Sequence, residues 1–283
     1  MSNFALHTAP FSVQVTNYST SLYRAVSELY PSVVFDVPGN NTIYDFSLQV
    51  KRKFAGWGRP YHVSARDQHF RMSDTAQLLP VFEWGINWCV ASYQHRYLAI
   101  HAAVLEKNGQ ALIMPAPPGS GKSTLCAVMM LNGWRLLSDE MCLVDLISGM
   151  LVPYVRPLSL KNQSLDVIKH HYPNADIRQI TTGTTKGTVG YLLPSEASWQ
   201  QYTQSAQPAW VVFPKYNSSC AELNLTRLIS ADAFMHLANN SFNYTVLAVD
   251  GFNALAKLVK GVNCFRLEYA DIDQAITELN RLC

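Results

Sequence analysis

The stretch that most constrains this chain is MPAPPGSGKSTL, Met114 to Leu125, a glycine-rich turn that ends in Lys122, Ser123 and Thr124 just before a helical pattern. At the N-terminus of a helix, the backbone N–H groups of such a turn can cradle phosphate oxygens. Ala116, Pro117, Pro118, Gly119, Ser120, Gly121, Lys122, Ser123 and Thr124 together read as a P-loop. Lys122 can reach terminal phosphates and the Ser123 hydroxyl can ligate Mg²⁺. The pattern normally opens on glycine, and Ala116 stands there instead, whereas Gly121 and the Lys122–Ser123 pair are intact. Nucleotide binding, with Mg²⁺ on Ser123, is the expectation, and a coincidental polar turn is the bland alternative.

The 283 residues are 48% apolar, enough core for one large domain or two closely packed smaller ones. A net charge of +2 without a basic block argues against a nucleic-acid partner. Cys89, Cys126, Cys142, Cys220, Cys264 and Cys283 are scattered, with no CxxC pair, so neither zinc nor a disulfide framework is indicated and a reducing cytoplasm fits. The N-terminus lacks a basic start followed by an apolar core, and no apolar run reaches the roughly 18 residues of a membrane span. These features read as a cytoplasmic protein with no membrane partner.

Residues 1–73 read as a strand-rich N-terminal region, with FSVQV and SVVFDV as strands and Ser21 to Tyr30 as an amphipathic helix capped by Thr20. Residues 74–283 read as a catalytic domain with a leading helix. Asp74 caps that helix, in which Trp84 and Trp88 lie one turn apart. Asn108–Gly109 is a type I′ hairpin signal between LAIHAAVLE and QALIM. Counting outward in pairs from this turn brings His101 opposite Ala116, at the mouth of the loop. A lone strand histidine is often only a packed residue, but this position makes it a candidate for chemistry.

After the loop, STLCAVMMLN predicts a helix of about three turns ending at Gly133. WRLLSDEMCLVD predicts the next strand, returning along a neighbour and carrying Asp139 and Glu140 only 17 residues after Lys122. A turn at Ser148–Gly149 would return Arg156 opposite Met141, beside the acidic pair, with Lys161 following in PLSLKN. TTGTTKGTVG, with Lys186 as its one cation, reads as a surface loop that could alternatively close over a phosphate or peptide. PAWVVFPKY and NCFRLEY read as strands; Ala231 to Asn240, Asp250 to Lys260 and Asp271 to Leu282 read as helices. No residue beyond Lys215 stands out as catalytic.

The set His101, P-loop, Asp139 and Glu140 resembles the HPr serine kinase/phosphorylase family, and more closely its HPr kinase-related kinase A branch. The resemblance is carried by EWGINWCVA, LAIHAAVLEKNG, APPGSGKSTL, GWRLLSDE and RPLSLKN, covering residues 83–163 strongly and the remainder loosely. His101 stands fifteen residues before Ala116, as the family's histidine does, and Asp139–Glu140 takes the place of its acidic pair. The glutamate-arginine-glycine segment that better-known members use for phosphorolysis is missing, and RPLSLKN occupies roughly its place. The family's late arginine has no clear counterpart, which leaves Arg156, Lys161 or Lys186 to supply that charge.

What the resemblance implies is an α/β fold: a P-loop kinase core of the HPr kinase type, a central mostly β sheet with flanking helices, beside a smaller strand-rich N-terminal part. It implies transfer of the γ-phosphoryl group of ATP to a hydroxyl, a serine of a small protein or peptide, with a peptide-binding chaperone-like partner in this branch and homo-oligomers among relatives. Lys122 would hold phosphates, Ser123 and Glu140 would face Mg²⁺, Asp139 would take the hydroxyl proton, and His101 would orient it. The opposite assignment, Asp139 on the metal and Glu140 as base for water, suits a hydrolytic ATPase. A small-metabolite kinase and a nucleotide-switched binding module are the rival functions.

Overall fold

The computed structural model describes residues 3–36, 42–52, 61–72, 74–117 and 119–282. Pro118 of the loop lies outside the described residues, as does Val37 of SVVFDV. The chain is an α/β protein with mixed sheets. In chain order the strands open with β1 (Asn3–Thr8), β2 (Phe11–Thr16), β3 (Phe35–Asp36), β4 (Phe46–Arg52), β5 (Tyr61–Ala65) and β6 (Gln68–Arg71). They continue with β7 (Tyr97–Lys107), β8 (Gln110–Pro115), β9 (Arg135–Ser138), β10 (Met141–Asp145), β11 (Leu151–Val152) and β12 (Leu158–Lys161). The last are β13 (Ile177–Thr184), β14 (Gly187–Leu192), β15 (Gln207–Tyr216), β16 (Asn224–Arg227) and β17 (Asn263–Tyr269). The helices are α1 (Thr20–Leu29), α2 (Leu78–Tyr93), α3 (Lys122–Leu131) and α4 (Gln163–His171). α5 (Glu196–Gln200), α6 (Ser230–Asn239), α7 (Tyr244–Gly261) and α8 (Ile272–Asn280) complete the set. Among the described residues no helix is long and apolar enough to cross a membrane.

Two compact units form. One comprises Met1–Gln94, Ser159–Leu165 and Asp176–Leu193; the other His95–Leu158, Asp166–Ala175 and Pro194–Cys283.

The first unit contains a six-stranded sheet ordered β3-β1-β2-β4-β5-β6 and a three-stranded sheet ordered β12-β14-β13. In β2, Phe11, Val13 and Val15 are buried and alternate with half-buried polar residues, as a one-faced strand requires. α1 buries Leu22, Ala25, Val26 and Leu29, and its cap is Ser19 rather than Thr20, since the Ser19 hydroxyl accepts from Leu22 N at 3.2 Å. Of SVVFDV only Phe35–Asp36 is strand, residues 32–34 forming a turn instead. Asp74 caps a short 3₁₀ turn leading into α2, its carboxylate accepting from Ala76 N at 2.9 Å. The buried Glu83 of α2 accepts from the Tyr30 hydroxyl at 3.0 and 3.1 Å, which offsets the cost of taking its carboxylate from water.

The stretch read as a surface loop is a β-hairpin, β13–β14. Its β-branched threonines suit a strand. Its tip is tied by the Thr184 hydroxyl, which donates to Gly187 O at 2.7 Å and accepts from Lys186 N at 3.1 Å.

The second unit is built on a sheet ordered β11-β10-β7-β8-β15-β17-β16, with β9 also paired to β7. The hairpin register is the expected one: Lys107 faces Gln110 and Ala102 faces Pro115, with Asn108 at φ 55° and Gly109 at φ 80°. β15 is parallel to both β8 and β17 and lies between them, which explains its nearly continuous apolar run. α3 ends as expected, with Asn132 as cap and Gly133 at φ 90°. The strand after α3 returns beside β7 rather than beside β8, so this crossover skips one strand.

Two further expectations change. WRLLSDEMCLVD is broken into β9 and β10, because the Ser138 hydroxyl accepts from Glu140 N (3.3 Å) and Met141 N (3.0 Å), bending the chain at Asp139–Glu140. The following turn is not a two-residue Ser148–Gly149 hairpin. Asp145 accepts from Ile147 N and Ser148 N and from the Ser148 hydroxyl, closing a longer loop in which Asp145 N donates to Met150 O. Val144 therefore faces Leu151, and pairing stops at Val152 before Pro153. α7 also begins earlier than expected, at Tyr244, and is interrupted at Ala248.

Candidate functional site

β8 ends at Pro115, Ala116 is buried at its tip, and α3 begins at Lys122. Gly119 and Gly121 both have φ 86°, the left-handed backbone that lets the turn double back onto a helix start. At Gly121 space matters as well: a Cβ would lie 2.8 Å from the Tyr269 hydroxyl and 3.0 Å from Tyr216 Cβ. The turn is fastened to the sheet by Tyr216 N, which donates to Ser120 O at 3.0 Å. Ser123 and Thr124 stand half-buried in the first turn of α3.

Lys122 is buried, and its ammonium is held toward β7. It lies 3.3 Å from His101 Nε2 and donates to the Asp139 carbonyl at 3.2 Å. An ammonium has no acceptor, so a hydrogen bond between the two uses the lone pair of Nε2. The backbone N–H of His101 donates to Asn240 O at 2.7 Å, and its ring lies edge-on to Phe242, 5.8 Å between centres. Its Cα partner across the sheet is Met141, immediately after the acidic pair. The Glu140 carbonyl accepts from Ala102 N at 3.2 Å, which holds the Asp139–Glu140 bend against β7. His101, Lys122 and the Asp139 backbone thus converge, although they are far apart in sequence. Behind them, burial pushes the Cys126 thiol of α3 well above its ordinary range, and nearby Asp139 pushes it further against the opposing Lys122, so it stays a neutral packing group.

Arg156 is not opposite Met141, because the longer loop shifts the β10–β11 register by two residues and the strand stops short of it. It is buried, donating to the Tyr154 hydroxyl at 3.1 Å with its guanidinium 5.3 Å from the centre of that ring. Lys161 ends β12, and Lys186 sits exposed in the β13–β14 turn; both belong to the first unit.

The cradle suits a phosphate chain. Ser120 Oγ is buried and has no hydrogen-bond partner among the described residues, and a phosphate oxygen or bound water would satisfy it. Among the described residues no group of three or more His, Cys, Asp or Glu surrounds a metal position. Mg²⁺ needs none, because it is typically held by one or two carboxylates, a hydroxyl and the nucleotide's own phosphates. Ser123 with Glu140 or Asp139 would offer donors of that kind.

Tyr216 and Tyr269, which face each other at the ends of β15 and β17, border the loop and were not legible as site residues. The only hint is that both strands end on tyrosine, and parallel pairing is what makes those ends coincide. No family model matches the chain, and no curated protein matches it either.

Proposed function

We propose that the protein is an ATP-dependent P-loop kinase that moves the γ-phosphoryl group of ATP to a hydroxyl, a serine of a small protein or peptide, as its resemblance to the HPr kinase type implies. The supporting observation is the convergence at the start of α3: the Lys122 ammonium lies against His101 Nε2 at 3.3 Å and the Asp139 carbonyl at 3.2 Å. Phosphoryl transfer asks mainly for alignment and charge neutralisation, which a lysine at the mouth of an N–H cradle supplies.

In this reading Lys122 and the loop N–H groups hold the β- and γ-phosphates. Ser123 and Glu140 would hold Mg²⁺, which would supply neutralisation of phosphate charge. Asp139 takes the proton of the attacking hydroxyl, whose oxygen bonds to the γ-phosphorus as the bond to the β–γ bridging oxygen breaks and ADP leaves. His101, whose ring lies between Phe242 and Lys122 Nζ, orients the acceptor.

Asp139→Asn should keep ATP binding, read by calorimetry, while transfer falls by about 10²- to 10⁴-fold, the usual worth of a general base. Unchanged transfer removes Asp139 from that role. Labelled ATP added to cell extract with the protein should label a small protein. Label found only in free phosphate favours the nucleotide-switched ATPase, and label in a small molecule favours a metabolite kinase.

A further inference from the structure

We infer that the C-terminal ends of β15 and β17 form a nucleoside subsite, where the Tyr216 ring packs against the base of a nucleoside triphosphate whose phosphates lie on the loop 116–124. The inference rests on the nucleotide reading above and adds the other half of the ligand.

Direction comes first. Lys122 leans toward β7, where His101 and the Asp139 carbonyl hold its ammonium, and a P-loop lysine marks the β- and γ-phosphate end. A triphosphate with its γ end on that flank must carry its nucleoside toward the opposite flank of β8. The next strands there are β15 and then β17, both running in the direction of β8, so their carboxyl ends emerge at the edge that bears the loop. That edge is where ligands of parallel sheets sit.

The side chains at that place suit a flat aromatic ligand. Tyr216, the last residue of β15, is 51% exposed. Its N–H donates to Ser120 O at 3.0 Å, and its Cβ would lie 3.0 Å from a Cβ on Gly121, so it borders the phosphate cradle directly. Tyr269, 1% exposed, supports it edge-on with ring centres 5.8 Å apart. The strand ends are tied together: Glu268 accepts from Lys215 Nζ at 3.0 Å and from Asn217 Nδ2 at 2.8 Å. A half-exposed ring on a braced support is a pre-organised stacking platform. Stacking uses the π-face that every base has, so the class of ligand is a nucleoside triphosphate without strong preference for one base.

The test compares Mg·ATP with inorganic Mg·tripolyphosphate, which has the phosphates and no base, by calorimetry on the full chain. Tyr216→Ala should weaken Mg·ATP about tenfold, the scale of one base–aromatic stack, and leave tripolyphosphate affinity unchanged. Retained tripolyphosphate binding also shows that the variant is folded. Tyr216→Phe should bind ATP as the parent does. Wild-type ATP affinity in Tyr216→Ala, or equal weakening of both ligands, overturns the subsite while leaving the P-loop reading standing. Binding of neither ligand by the parent protein, or full binding of both by Lys122→Ala, overturns the nucleotide reading itself.

Discussion

Gly121 meets two independent demands, a backbone at φ 86° and a space that a Cβ could not share with the Tyr269 hydroxyl at 2.8 Å and Tyr216 Cβ at 3.0 Å. Gly121→Ala should therefore cost about 1–2 kcal/mol from the left-handed backbone alone, with a steric part on top. Removing the hydroxyl by Tyr269→Phe leaves the nearest remaining atom of that ring at 3.8 Å. In a urea-denaturation cycle the double variant should regain part of the loss, the Tyr216 contact remaining. A double variant no more stable than additivity allows would show that the hydroxyl does not limit the site. His101 is the second informative residue. His101→Ala removes the group facing Lys122 Nζ and should lower transfer while urea stability changes little; full activity would return His101 to a packing role.

Among the elements, the β7–β8 hairpin places His101, and it is clamped from below. Glu106 accepts from Arg135 Nε at 2.5 Å and from Gly109 N, and Arg135 also donates to the carbonyls of Gln201 and Gln204. Glu106→Ala leaves Arg135 buried without its carboxylate, a loss of about 3–5 kcal/mol in denaturant unfolding. A loss below about 1 kcal/mol would mark the pair as no stronger than a surface ion pair. α7 carries the opposite situation. Ala248 interrupts it at φ 49°, ψ −117°, a backbone that an L side chain rarely adopts, and its methyl is exposed. Ala248→Gly should therefore stabilise the protein by about 1 kcal/mol, since little packing is lost and strain is relieved. A destabilised variant would show that the interruption is not strained.

For the whole molecule, the thiols report how the core is closed. Burial pushes Cys89 up to about 12 and Cys264 up to about 11 from an ordinary 9.0, with Arg66 and Arg227 respectively opposing the shift. A group whose pKa is raised on folding contributes stability that is fully present below pH 9.0 and is lost as pH rises toward its folded value. Urea midpoints should hold through neutral pH and decline between pH 9 and about 11 to 12. Serine at both positions should make that decline shallower, the buried Cys126 and Cys142 supplying the remainder. In a Cys283→Ser background one thiol, the half-exposed Cys220, should react with a disulfide reagent, and the four buried ones only on unfolding.

What the amino-acid sequence determined by itself is local in physical origin. The Gly-rich turn before Lys122, the Asn108–Gly109 turn and its register, the helix ending at Gly133 and the buried strand at 207–216 follow from backbone preference and apolar pattern over a few residues. The tertiary structure decided what depends on partners remote in sequence. Ser138 breaks the Asp139–Glu140 strand through its own hydroxyl, and the Asp145 loop shifts Arg156 away from Met141. β9 pairs with β7 rather than β8, the threonine-rich segment becomes a hairpin, and Lys122 turns toward His101. Tyr216 and Tyr269 meet at the loop only because β15 and β17 run parallel beside β8, a pairing that no local pattern in either strand specifies.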